Sequence, residues 1–144
     1  MTESHEELRS RVRGSYTLEA GTEMLIRAFG GRFVEPGNPW IDEDPMSGKT
    51  WIDFGEIPSN VGALSGGERE FLMLAASVAA DVPVGVGEIL DGLDRPLMEL
   101  ALAAFAHASG SHEHSGLDDG LSFARGERPG TLYPWPEETT PDVS

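Results

Sequence analysis

Cysteine is absent from the 144-residue chain, which removes disulfides, thiolate zinc sites and cysteine nucleophiles from consideration and leans weakly towards a reducing compartment. Cations are scarce: ten Lys and Arg, of which only Lys49 is lysine, face 25 Asp and Glu, for a net charge of −15. Direct nucleic-acid binding needs cations that replace phosphate counterions, and the only basic cluster is Arg9, Arg11 and Arg13, so nucleic acid and anionic membrane are both excluded as expected partners. Long apolar runs are missing as well. No stretch approaches the roughly 18 consecutive apolar residues of a membrane span, and the polar start Met-Thr-Glu-Ser-His-Glu-Glu lacks the basic and apolar regions of a signal peptide. The cytoplasm is the expected compartment. The excess of arginine over lysine, with abundant Ala and Gly, points to a high-GC bacterial genome.

What is present suffices for one core. With 39% hydrophobic residues the chain has the size and composition of a single domain. The densest apolar stretch is 61–109, which reads as two helices joined by a short link. Ser65 and Glu68 have capping-box spacing, in which hydroxyl and carboxylate satisfy amides that a helix leaves unpaired at its start. Phe71, Leu74, Ala75, Val78 and Val82 then recur at helical spacing, predicting a half-buried helix over 65–80. Asp94 as cap, Pro96 in the first turn and Gly110 at the end predict a second helix over 95–108. Because that helix is apolar nearly all round, it is the expected centre of the fold, and Leu102→Asp or Phe105→Asp is expected to unfold the protein.

Upstream, Ser4 with Glu7 marks a short charged helix over 4–13, and Leu18, Leu25 and Phe29 mark another over 17–29, ended by Gly30-Gly31 and weakened by Gly21. Arg32–Glu35 and Thr50–Phe54 are the candidate strands. Pairing them gives a small antiparallel ribbon, with Ile52 and Phe54 on one face and Trp40 and Ile41 covering its edge. The expected class is α+β, predominantly helical: a β-ribbon packed on a helical hairpin, in one globular domain over 1–114. Residues 115–144, rich in Pro, Gly and acidic groups, read as a disordered tail. Within it, Tyr133-Pro134-Trp135-Pro136 suits either an aromatic anchor folded back on the body or a proline-rich ligand for a partner.

Three segments carry possible chemistry. Gly48-Lys49-Thr50 has the end of a phosphate loop, but Glu43 stands where the first glycine belongs and a strand-like run follows in place of a helix. His107, His112 and His114 could gather a metal through imidazole nitrogens, as in a metal-dependent enzyme; the plainer expectation is that His107 interacts with the negative end of its helix and the other two are solvated. Leu64-Ser65-Gly66-Gly67-Glu68 resembles the signature motif of ABC-type ATPases. In that family a helix, a proline, an apolar strand ending in Asp-Glu and a loop ending in Leu-Asp follow the signature. Pro83 to Glu88 and Asp91-Gly92-Leu93-Asp94 lie in a similar register, so the resemblance implies a catalytic-glutamate position at Glu88 and a D-loop aspartate at Asp94. Gly87 replaces the magnesium-binding aspartate. What the resemblance then implies is an accessory subunit presenting Ser65, Gly66 and Gly67 to a nucleotide held by a partner.

By elimination, the leading expectation is a non-catalytic acidic accessory protein that binds another protein, with no metal and no cofactor. Its candidate interaction residues are Asp42, Glu43 and Asp44, Ser65, and Tyr133 with Trp135.

Overall fold

A computed structural model describes residues 2–113 and 132–136. Five helices, α1 (Thr2–Arg11), α2 (Tyr16–Arg27), α3 (Gly66–Ala80), α4 (Val86–Asp91) and α5 (Arg95–Ala108), accompany a two-stranded sheet, β1 (Ile41–Glu43) with β2 (Thr50–Ile52). The class is α+β and predominantly helical. None of these helices is long and apolar enough to cross a membrane.

Local signals account for the starts of α2, α3 and α5. The Ser65 hydroxyl accepts from the Glu68 amide and the Glu68 carboxylate accepts from the Ser65 amide, closing the capping box of α3. Asp94 accepts from the Leu97 amide at 3.0 Å and starts α5, with Pro96 in its first turn. Ser15 accepts from the Leu18 amide and starts α2. That helix ends at Ala28, which turns extended while its amide still donates to the Met24 carbonyl; Phe29, Gly30 and Gly31 then take left-handed conformations in succession (φ 55°, 65° and 79°), a reversal that glycine accommodates without a Cβ penalty.

The centre of the fold is α2, not α5. Ala20, Gly21, Thr22, Met24, Leu25 and Ile26 are all buried, and α2 packs extensively on α3 and on α5, which touch each other far less. The reason lies in side-chain size. The face of α5 turned inward carries Leu97, Leu100, Ala101 and Ala104, where the alanines admit a close neighbour. Leu102 and Phe105 are turned outward, 41% and 43% exposed. The expectation that an aspartate at either position unfolds the protein is therefore corrected: neither side chain is part of the core.

The ribbon also differs from expectation. Its first strand is Ile41–Glu43, not Arg32–Glu35, with Ile41 opposite Ile52 and Glu43 opposite Thr50 in antiparallel register. The left-handed turn at 29–31 draws Phe29–Val34 into a 3-10 run. Phe33 is buried there, and its carbonyl accepts from the indole Nε1 of buried Trp40 at 2.8 Å, so a group that a strand would use in its ladder is engaged. Trp40 is a core residue, 2% exposed, rather than an edge cover. Phe54 leaves the strand for a 3-10 turn against α3, and β2 rests on α1.

Residues 132–136 lie against the body. The Leu132 amide donates to the Ser111 hydroxyl at 3.1 Å, Arg27 donates to the Pro136 carbonyl at 3.0 Å, and Trp135 packs on the core. For Trp135 the anchor alternative is the one observed. The remainder of the expected tail, 115–131 and 137–144, lies outside the described residues.

Candidate functional site

Polar side chains from four parts of the chain converge where the first turn of α2 meets the last turn of α5. Glu19 and His107 meet there, with His107 Nε2 and Glu19 Oε1 2.8 Å apart. The other carboxylate oxygen accepts from the Gly14 amide at 2.8 Å. Partial burial works against the charge of Glu19, but the hydrogen bonds from His107 and Gly14 outweigh it and hold its pKa below the ordinary carboxylate value. An ionised carboxylate can only accept, so His107 donates through Nε2, which fixes the proton on that nitrogen.

His112, in the 3-10 turn Ser111–Glu113, stacks on His107 with ring centroids 4.0 Å apart and planes at 13°. Tyr16 closes one side, edge-on to His112 at 4.8 Å. Trp135 closes the other, 6.1 Å from His107. Its ring also carries the Arg27 guanidinium at 5.1 Å, a cation–π contact. Arg27 in turn pairs with Glu23 at 2.7 Å, and Glu23 pairs with Arg9 of α1 at 2.6 Å. Burial works to raise the Glu23 pKa, but hydrogen bonds from Arg9 and Arg27 prevail and lower it. Beside this network lies a cleft of about 230 Å³ walled by Arg9, Arg13, Arg27, Glu19, His107 and Trp135. Three of the chain's ten cations line it.

Of the histidines singled out from the sequence, His107 and His112 are brought together and His114 lies outside the described residues. His107 stands in the last turn of α5 as expected and also bonds a carboxylate from another helix, whereas His112 is half-buried in a ring stack and not solvated. Glu19 was missed, since it is 88 residues away in sequence. A signal for it existed. Glu19, Glu23 and Arg27 recur every four residues along a helix whose other residues are largely apolar, and so form a charged stripe on one face.

The remaining candidates scatter. Asp42 is half-buried in β1. Asp44 accepts from the Met46 amide at 3.0 Å and the Ser47 hydroxyl at 2.9 Å, which build the hairpin turn and lower its pKa. Glu43 is exposed. Gly48-Lys49-Thr50 runs from that turn into β2, so no helix follows it. The Ser65 hydroxyl is used by its own helix, and Glu68 is bound by Arg32. The strand implied by the ATPase resemblance is absent: Asp81–Gly85 is irregular, Glu88 lies exposed on α4, and Asp94 serves as a helix cap. Tyr133 is half-buried.

A second feature is apolar. Met98, Leu102 and Phe105 fall four and three residues apart along α5, which aligns them on one face, and the last two are prominently exposed. Glu99 adjoins this stripe, and Asp91 and Asp94 stand exposed at its amino-terminal end.

No protein-family model, curated protein or solved structure matches the chain.

Proposed function

We propose that this is a non-catalytic accessory protein of the bacterial cytoplasm that docks one protein partner on the outward face of α5. The observation that carries the reading is the exposure of Leu102 and Phe105, 41% and 43%, on a helix whose opposite face builds the core. Large apolar side chains lined up in the open are the anatomy of an interface centre, and a polar rim is what surrounds such centres. Here the rim carries Asp91, Asp94 and Glu99 with Arg95 among them, and the chain as a whole carries −15. The matching partner surface is an apolar groove bordered by Lys and Arg, drawn in by charge and retained by burial of the stripe. Glu43, at the exposed edge of the ribbon, adds to steering and not to the contact.

The test is site-specific photo-crosslinking in the native host, with the probe at position 102 and a control probe at exposed Glu35. A single basic partner captured from position 102 and not from 35 supports the reading. Leu102→Lys with Phe105→Lys should then abolish binding of that purified partner while the far-ultraviolet spectrum and melting behaviour remain those of a folded protein. Equal capture at both positions, or undiminished binding by the folded double variant, overturns it.

A further inference from the structure

We propose that Glu19, His107 and His112 form a binding site for one divalent transition-metal ion of the zinc class. One ligand atom from each lies within 4.8 Å of the others. They come from three separate elements: the first turn of α2, the last turn of α5 and the 3-10 turn that follows α5. Two imidazole nitrogens and one carboxylate oxygen suit zinc, cobalt or nickel, whereas magnesium and calcium take oxygen sets. The scaffold holds two of the three rigidly, because Glu19 and His107 belong to helices joined through the core and are already in register.

In the described geometry a proton occupies the ion's place. Two ligands on tetrahedral zinc, each at about 2.0–2.1 Å, stand about 3.3 Å apart, and the 2.8 Å contact between Glu19 and His107 is a direct hydrogen bond. Rings stacked at 13° and 4.0 Å also hold their lone pairs in two nearly parallel planes, which do not share a point. Metal entry therefore needs two changes: transfer of the His107 proton from Nε2 to the other ring nitrogen, and rotation of His112 off the stack. His112 sits on the shortest of the three elements, and its ring, not its backbone, makes the change. Of the three cations that line the cleft, Arg9 is held by Glu6 and Glu23 and Arg27 by Glu23, which leaves Arg13 as the charge an entering ion passes. Glu19 and His107 line the cleft, so the ion's open coordination position faces it, and a water or an anionic group completes the shell.

The experiment uses the full chain without a histidine tag, titrated with zinc sulfate at pH 7.5 by calorimetry and followed by thermal melting. Saturation at one zinc per chain and a melting temperature that rises with zinc are expected, with magnesium producing neither. Glu19→Gln, His107→Gln and His112→Gln should each weaken binding at least about tenfold, while His5→Gln should not. Glu19 separates this site from one built by the 107–114 segment alone. Cobalt absorption of the unmutated protein provides a readout independent of variant folding: intense visible bands mark a tetrahedral or five-coordinate site. Absence of saturable binding, octahedral-type cobalt spectra, or undiminished zinc affinity in folded Glu19→Gln and His112→Gln overturns the proposal.

Discussion

Gly21 lies in the middle of α2, where helix propensity alone favours its replacement by alanine by about 1 kcal/mol. The structure predicts the opposite sign. A Cβ at this position would stand 2.7 Å from Ala79 Cβ, 3.2 Å from the Ala75 carbonyl oxygen and 3.3 Å from a Phe54 ring carbon. None of these neighbours can swing aside, because one is a methyl fixed to the backbone, one is backbone, and the third is a buried ring. Relief requires α2 and α3 to separate, and overpacking of that kind costs about 1–3 kcal/mol. With the first contact closer than real Cβ atoms approach, the upper part of that range applies, leaving Gly21→Ala about 1–2 kcal/mol less stable after the propensity gain. At about 4 °C per kcal/mol for a chain of this size, the melting temperature falls by about 4–8 °C. Urea denaturation of Gly21→Ala, Ala79→Gly and the double variant isolates the contact: the double variant should be more stable than the sum of the single changes by about 1 kcal/mol. Gly66→Ala, in the first turn of α3 with nothing within 4 Å of the added carbon, is the control, expected to be stabilising by up to about 1 kcal/mol. A stabilised Gly21→Ala, or strict additivity with Ala79→Gly, would refute the close approach of α2 and α3.

Glu23 has its pKa lowered by hydrogen bonds from Arg9 and Arg27 that outweigh its burial. Its contribution is therefore complete above the unfolded carboxylate value of 4.5 and is lost as pH falls through the lower folded value. Urea midpoints measured from pH 7 to pH 3 should decline below about pH 4.5, and Glu23→Gln should be less stable by about 1–3 kcal/mol at pH 7 with a shallower decline; identical pH profiles for the two proteins would contradict this. Ser65→Ala removes one side of the α3 capping box and should lower stability by about 0.5–1 kcal/mol in the same assay, whereas no change would mean that the paired 3.4 Å contacts of that box contribute nothing.

The parts of the fold legible in the sequence are those fixed by neighbouring residues. Ser65 with Glu68 and Asp94 with Pro96 mark helix starts through hydrogen bonds that act within a few positions, and these starts stand where the spacing puts them; Gly30-Gly31 mark the reversal just past α2, which itself stops at Arg27. Three features depended on distant contacts and were not legible. The periodic pattern counts a residue as apolar without regard to its volume or direction, so α5, with Leu102 and Phe105 outward and alanines beside Leu97 and Leu100 inward, looked like a centre. Gly21 looked like a weakness in α2 for the same reason, although it is the point where α3 comes closest. The strand assignment failed because Arg32–Glu35 and Ile41–Glu43 are both short and ambiguous in pattern; the bond from Trp40 to the Phe33 carbonyl decides between them, and nothing in either run announces it.

The convergence of Glu19, His107, His112 and Trp135 follows from the position of α2 between α3 and α5. A helix buried on two sides retains one strip where polar groups can stand, and on α2 that strip is Glu19, Glu23 and Arg27. Being flanked by packed helices, these charges are partly desolvated, and a desolvated charge is tolerable only when paired. The pairing groups had to arrive from elsewhere in the chain: Arg9 from α1, His107 from α5, and the Trp135 ring and Pro136 carbonyl on Arg27. A residue whose role is to answer a distant charge carries no periodic signature of its own. The detectable half of each pair was the stripe on α2, and the informative question for a sequence of this kind is which groups could reach a charged stripe on its most buried helix.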